Sequence, residues 1–190
     1  FPYTTLFRSN RLKEFSLKYG VSYVGPNCLG IIDNFSGINT MFIPAHRTSI
    51  IREQNGIGII SQSGGIGIEL MEMLEADRVG LGKWVSCGNS SSVGVPEILA
   101  HMGSDPRINI IAIYLEGLSE GLKLMEIGKQ VAREKPVVIM AFMPPTDAPG
   151  FSNTSNTKPS TRPMTMDKRL ASTPTTAGCC KSGCLFCLLM

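Results

Sequence analysis

Along residues 10–140 the apolar positions alternate between two rhythms. Short β-branched runs read as strands, and stretches with apolar residues three and four apart read as helices. "RLKEFSLKYG" predicts an amphipathic helix with Leu12, Phe15 and Leu17 inward and Gly20 as its C-cap. "VSYVGPNCLGIID" predicts a buried strand with a Pro-Asn turn, and "GIGIIS" a short strand. "GIGIELMEMLEADRVG" predicts a helix with Ile66, Leu70, Met73 and Leu74 on one face. "GKWVSCG" reads as a strand, "VPEILAHMGSD" as a helix with Pro96 at its start, and "INIIAIYLEG" as a fully apolar central strand. A helix in "GLKLMEIGKQVAREK" and a strand in "PVVIM" complete the series, with no hairpin signal between elements. Such alternation predicts an α/β fold, a flavodoxin-like doubly wound parallel sheet.

After Met140 the pattern stops. Residues 141–190 are rich in Pro, Thr and Ser and lack apolar periodicity, so they bury too little surface to offset their ordering entropy and are expected to be disordered. The chain has 190 residues, 43% of them hydrophobic, and nothing resembling a membrane span or a leader segment. A cytoplasmic protein is the expectation. The net charge of +3 is uneven: residues 10–140 carry 12 Lys and Arg against 13 Asp and Glu, while residues 141–190 carry 5 against 2. A near-neutral folded part gives no nucleic-acid footprint.

In a doubly wound sheet, ligands sit beyond the carboxyl ends of the strands. Three corners are expected there: "SQSGG" at 61–65, "CGNSSS" at 87–92 and "EG" at 116–117. At the first, Gly64 and Gly65 allow a tight turn, Ser61 and Ser63 offer hydroxyls, and a helix start presents unpaired N–H groups and a positive dipole end. That suits a phosphate; the alternative is that Ser63 is a plain N-cap, with Glu69 and Glu72 in the early turns of the helix. Glu116 ends an apolar strand, either as a surface carboxylate or as one that orients a histidine or binds a cation. The two histidines, His46 and His101, have no Ser or Cys partner at a recognisable spacing and read as surface residues. No metal-binding set is expected in the folded part.

"GPNCLGIID", "NTMFIP", "GIGIISQSGGIGIELMEM", "VGLGKWVSCGN", "YLEGL" and "KPVVIM" together resemble the ADP-forming acyl-CoA synthetases, relatives of the succinyl-CoA synthetase alpha subunit, over about 130 residues. The resemblance implies a reversible acid–thiol ligase acting through an acyl phosphate and a phosphohistidine. It implies coenzyme A and ATP/ADP with Mg2+ as cofactors of the complete enzyme, and a beta-type ATP-grasp domain or subunit as partner, with acyl-CoA and phosphate as ligands and neither nucleic acid nor membrane. By this resemblance Ser61, Gln62, Ser63, Gly64 and Gly65 surround the phosphate, Glu116 hydrogen-bonds the catalytic imidazole, and Gly88 and Asn89 border the crevice.

The same resemblance divides the chain. Residues 10–30 correspond to the end of a CoA-binding Rossmann domain, and residues 31–140 to the flavodoxin-like domain. Residues 1–9, "FPYTTLFRS", match the translation of a common sequencing adapter and are set aside. The family's "SHT" segment has no counterpart, for no histidine follows His101, and Ser92 and Gly94 stand where members often carry acidic residues. A frameshift near codon 140 is the expected cause, which makes the chain a fragment inactive by itself. In that frame Cys179, Cys180, Cys184 and Cys187, and the terminal "CLLM", read as accidents rather than a zinc site or a prenylation box. The other reading is a non-catalytic module responsive to acyl-CoA or phosphate, including one fused to an acetyltransferase.

Overall fold

The computed structural model describes residues 2–43, 56–117, 119–143 and 184–189. Four parallel strands form its centre: β3 (Ile57–Ser61), β4 (Lys83–Ser86), β5 (Ile110–Leu115) and β6 (Val137–Met143). The first two helices are α1 (Pro2–Tyr19) and α2 (Gly64–Ala76). Two more, α3 (Val95–Ser104) and α4 (Gly121–Val131), alternate with the later strands. The sheet order is β2-β1-β4-β3-β5-β6-β7. Successive connections from β3 run first to one side and then back across it, so the topological switch point lies at β3.

The sheet is mixed rather than wholly parallel. β1 (Ile31–Asp33) and β2 (Ile38–Asn39) form a hairpin antiparallel to β4. This hairpin was not expected. Its turn is made by Asp33, whose Oδ1 accepts the N–H groups of Phe35 (2.9 Å) and Ser36 (3.3 Å). The expected long strand over "VSYVGPNCLGIID" shortens to β1, because Pro26 has no N–H for a ladder and Asn27 turns the chain at φ 59°. At the other edge, β7 (Cys184–Leu189) pairs antiparallel with β6, so within the tail expected to be disordered residues 141–143 and the apolar run "CLFCLL" are strand, while residues 144–183 lie outside the described residues.

Apolar clusters cover both faces of the sheet. On one, Ile60, Val85, Ile111, Ile113 and Ile139 pack with Ile98, Leu99 and Met102 of α3 and Leu124 of α4. On the other, Ile32, Ile59 and Trp84 pack with Met71 of α2. Trp84 is fully buried, and a Cβ built on Gly67 would lie 2.9 Å from its ring, so α2 meets the sheet through a glycine. The inward face of α2 is accordingly centred on Gly67 and Met71, and Met73, expected inward, is 63% exposed.

α1 also departs from expectation. Gly20 does cap it, with φ +65° and the Val21 N–H donating to the Ser16 carbonyl at 3.2 Å. Leu12, Phe15 and Leu17, however, are 43%, 53% and 78% exposed. Within the helix, the Phe15 and Tyr19 rings stack at 5.5 Å. Among the described residues, no helix is long and apolar enough to cross a membrane.

Candidate functional site

β3 delivers Ser61 and Gln62 to the carboxyl end of the sheet at the switch point, and α2 begins two residues later. Ser63 holds the N-cap position with extended backbone (φ −90°, ψ 125°), yet its hydroxyl makes no capping bond. The first-turn N–H groups of α2 are therefore not satisfied by their cap residue, and the helix presents them outward. Gly65 is exposed, and a Cβ there would meet nothing within 4 Å, so the corner is open at this point. Gly64 is tighter, since its Cβ would lie 2.8 Å from the Leu29 side chain.

Ser61 behaves differently from its neighbours. It is fully buried, and its hydroxyl donates to the Ser63 carbonyl at 2.6 Å. It shapes the turn from beneath and offers no free hydroxyl to the crevice. Gln62 reaches sideways instead: its Oε1 accepts the backbone N–H of Glu116 at 2.7 Å and of Gly117 at 3.0 Å. The first and third expected corners are thus joined by one side chain.

Glu116 itself is exposed at the end of β5, beside buried Tyr114. Burial, and then the Glu116 charge, pushes the Tyr114 phenol upward. The carboxylate stands in water at the lip of the crevice, so it carries no buried-charge cost.

The second corner is folded onto the segment before β1. Gly88 has φ +50° and is buried, and a Cβ there would run into the Pro26 and Asn27 carbonyl groups. Asn89 donates its N–H to the Pro26 carbonyl (2.9 Å), and Ser91 to that of Gly25 (2.9 Å). Ser92 and Ser16 of α1 join hydroxyls at 3.0 Å. Gly88 and Asn89 do not line the cavity that opens here. That cavity, of about 370 Å³, is walled by Gln62, the three serines Ser90, Ser91 and Ser92, and the starts of α3 and α4, with Lys13 at its rim. Glu97 closes the first turn of α3 by accepting the Gly94 N–H at 2.9 Å, and it pairs with Lys123. Burial works against the Glu97 carboxylate, but Lys123 and the backbone donors outweigh it and hold the group below its ordinary range.

The serines were within an expected corner, but Lys13 was not foreseen, because nothing in a surface helix says which strand ends it will overhang. The cavity sits at the lower end of the usual range for small-molecule sites. Its walls are mostly uncharged and polar, with Lys13 and Glu120 as the charged exceptions. Among the described residues no three His, Cys, Asp or Glu side chains gather to hold a metal ion.

His46 and residues 179–183 lie outside the described residues. His101 is exposed at the far end of α3, where its Nε2 lies 3.3 Å from Lys83 Nζ. Lys83 is the first residue of β4, so this histidine is at the amino end of the sheet, opposite the crevice.

Residues 54–147 match the succinyl-CoA ligase like flavodoxin domain. The ADP-forming acetate–CoA ligase I of Archaeoglobus fulgidus is 37% identical over 129 residues, covering 68% of this chain and 18% of that protein. The alpha subunit of the ADP-forming acetate–CoA ligase I of Pyrococcus furiosus is 32% identical over 130 residues, covering 68% of this chain and 27% of that one. Among solved structures, dinucleotide-forming acetyl-coenzyme A synthetase 1 of Ca. Korarchaeum cryptofilum, in complex with phosphate and ADP, superposes with a TM-score of 0.63. It is 27% identical, and the match covers 70% of this chain and 28% of that one. The chain thus spans roughly a fifth to a quarter of the length of the curated relatives it matches. Residues 54–147 form a succinyl-CoA-ligase-like flavodoxin domain, and the chain's homologues are ADP-forming acetate–CoA ligases and their alpha subunits.

Proposed function

We propose that the chain supplies the phosphate-holding corner of an ADP-forming acyl-CoA synthetase, which joins an acid to coenzyme A at the expense of ATP and releases ADP and phosphate. The observation that carries this reading is the uncapped start of α2, opening at the switch point with Gln62 tying it to the Glu116 turn. In this reading the N–H groups of Gly64 and Gly65 and the hydroxyl of Ser63 donate to a phosphoryl group. Gln62 frames the corner, and Ser61 stiffens it from below. The positive end of α2 favours the anion.

The reaction proceeds through an acyl phosphate and a phosphohistidine. Glu116, exposed at the crevice lip, accepts a hydrogen bond from the imidazole and stabilises its charged form. That imidazole comes from outside this chain: His101 is committed to the opposite end of the sheet, and neither it nor His46 occupies the position of the family's histidine segment, which follows the strand at "KPVVIM". In this reading the chain alone is inactive. Coenzyme A, and ATP with Mg2+, bind to other parts of the complete cytoplasmic enzyme, the nucleotide in a beta-type ATP-grasp partner.

The test is phosphoryl transfer from labelled ATP to the longer protein that contains this chain. Acid-labile label is expected there and not on the 190-residue chain alone, and Glu116→Gln should reduce it sharply. Full labelling of the Glu116→Gln protein, or label on His101, overturns the assignment. A second reading, a phosphate- or acyl-CoA-responsive module without catalysis, is favoured by one observation: no histidine stands on the crevice side among the described residues. Phosphate binding without any labelling of the longer protein selects it.

A further inference from the structure

Glu116 and Gly117 both direct backbone N–H groups at one atom of Gln62, at 2.7 and 3.0 Å. Both partners are donors, so that atom is the carboxamide oxygen, and the amide nitrogen faces the other way. The backbone N–H of Gln62 in turn donates to the Tyr114 carbonyl at 3.1 Å. The β3–β5 ladder ends at Ser61 opposite Tyr114, and Gln62 extends the connection by three bonds past that end. It does so where the chain has little else to hold it. Glu116, Gly117, Ser119 and Glu120 are all exposed, and a Cβ on Gly117 would touch nothing within 4 Å.

We propose that Gln62 is a positioning residue, a clasp that fixes the Glu116–Gly117 turn, and with it the Glu116 carboxylate, against the first turn of α2. The family resemblance places Gln62 around the phosphate; the hydrogen bonds give its oxygen a different task. The clasp deepens the proposed function and rests on it only where phosphoryl transfer is concerned.

Two variants separate the parts of the idea. Gln62→Glu keeps an oxygen for both N–H groups, whereas Gln62→Ala removes it. Amide hydrogen exchange is measured on the whole chain, together with the shifts caused by inorganic phosphate. Glu116 and Gly117 should lose protection by about tenfold in Gln62→Ala, as expected for two lost hydrogen bonds, and keep it in Gln62→Glu. Unchanged exchange at both amides in Gln62→Ala overturns the clasp. In the longer protein, Gln62→Ala should slow acid-labile labelling about as much as Glu116→Gln does, with thermal stability close to that of the parent. Labelling at the parent rate overturns the positioning role even if the clasp exists. If phosphate leaves the Gly64 and Gly65 resonances of the parent chain unmoved, the anion corner fails, while the exchange result still decides the clasp.

Discussion

Lys83 Nζ lies 2.8 Å from the Asp105 carboxylate, with side chains only 8% and 6% exposed, at the end of the sheet opposite the crevice. Asp33 of β1 stands 3.5 Å from the same ammonium, and Arg107 grips Asp105 through Nε (2.9 Å) and Nη2 (2.7 Å). One lysine thereby ties the hairpin, β4 and the α3–β5 turn together. Lys83→Met removes one partner of a buried pair and is expected to cost about 3 kcal/mol or more, read from urea unfolding. A cost well under 1 kcal/mol would mean that the surrounding charges compensate and the lysine is not the tie.

The same cluster sets the acid limit of the fold. The Arg107 guanidinium holds the Asp105 carboxyl far below its ordinary range against the opposing effect of burial, and Lys83 adds to it. Burial pushes Asp33 up, but Lys83 and the N–H groups of Ser36 and Phe35 leave it lowered overall. A carboxyl lowered on folding contributes stability that is present above the unfolded value of about 3.9 and is lost as pH falls below it toward the folded value. The urea midpoint should hold from neutrality to about pH 5 and then fall. In Asp105→Asn the midpoint should start lower and fall less steeply; an equally steep acid limb would place the titrating groups elsewhere.

Trp84, the sole tryptophan, reports on the contact between α2 and the sheet. A methyl on Gly67 would press into the fully buried indole. Gly67→Ala should cost about 1–3 kcal/mol despite the better helix propensity of alanine, with a shifted Trp84 emission. A gain in stability would mean that α2 can lift off the sheet without penalty.

That contact shows where the sequence was and was not legible. The strands β3 to β6 were readable as apolar runs, and the α2 corner because glycine and serine concentrate there. The inward face of α2 is built around a glycine, which a hydrophobic template ignores, so the apolar pattern points to Met73 where the structure buries Met71. The hairpin was missed because its strands are three and two residues long and its Asp33 turn hides no apolar pattern. The stripe on α1 told which face is apolar but not what lies against it. Lys83 inside "GKWVSCG" gave no hint of its partners, since Asp33 is 50 residues before it and Asp105 is 22 after.

Two cysteines near the crevice should differ in reactivity. Cys87 is fully buried, its thiol donates to the Ser61 carbonyl at 3.3 Å, and burial pushes it up. Cys28 is half-buried. At neutral pH a raised thiol has less thiolate, so iodoacetamide should label Cys28 at least about tenfold faster than Cys87 in the native chain, as peptide mapping would show. Equal rates would mean that the β4–α3 corner opens readily.

The start of α2 allows a prediction in which stability and binding move in opposite directions. Gly65 faces open space in the first turn, so a longer side chain fits without a clash. Gly65→Glu replaces a poor helix former and places a negative charge at the positive end of the helix, each worth several tenths of a kcal/mol to about 1 kcal/mol in favour of folding. The same charge should repel a phosphoryl group held by the neighbouring N–H groups. A higher urea midpoint together with loss of phosphate-induced shifts at Gly64 would identify the helix start as the anion site. A higher midpoint with those shifts intact would mean that the anion lies elsewhere in the crevice, and a lower midpoint that the corner tolerates no side chain. Gly65→Ala serves as the neutral companion: it should stabilise without affecting phosphate, which isolates charge as the cause.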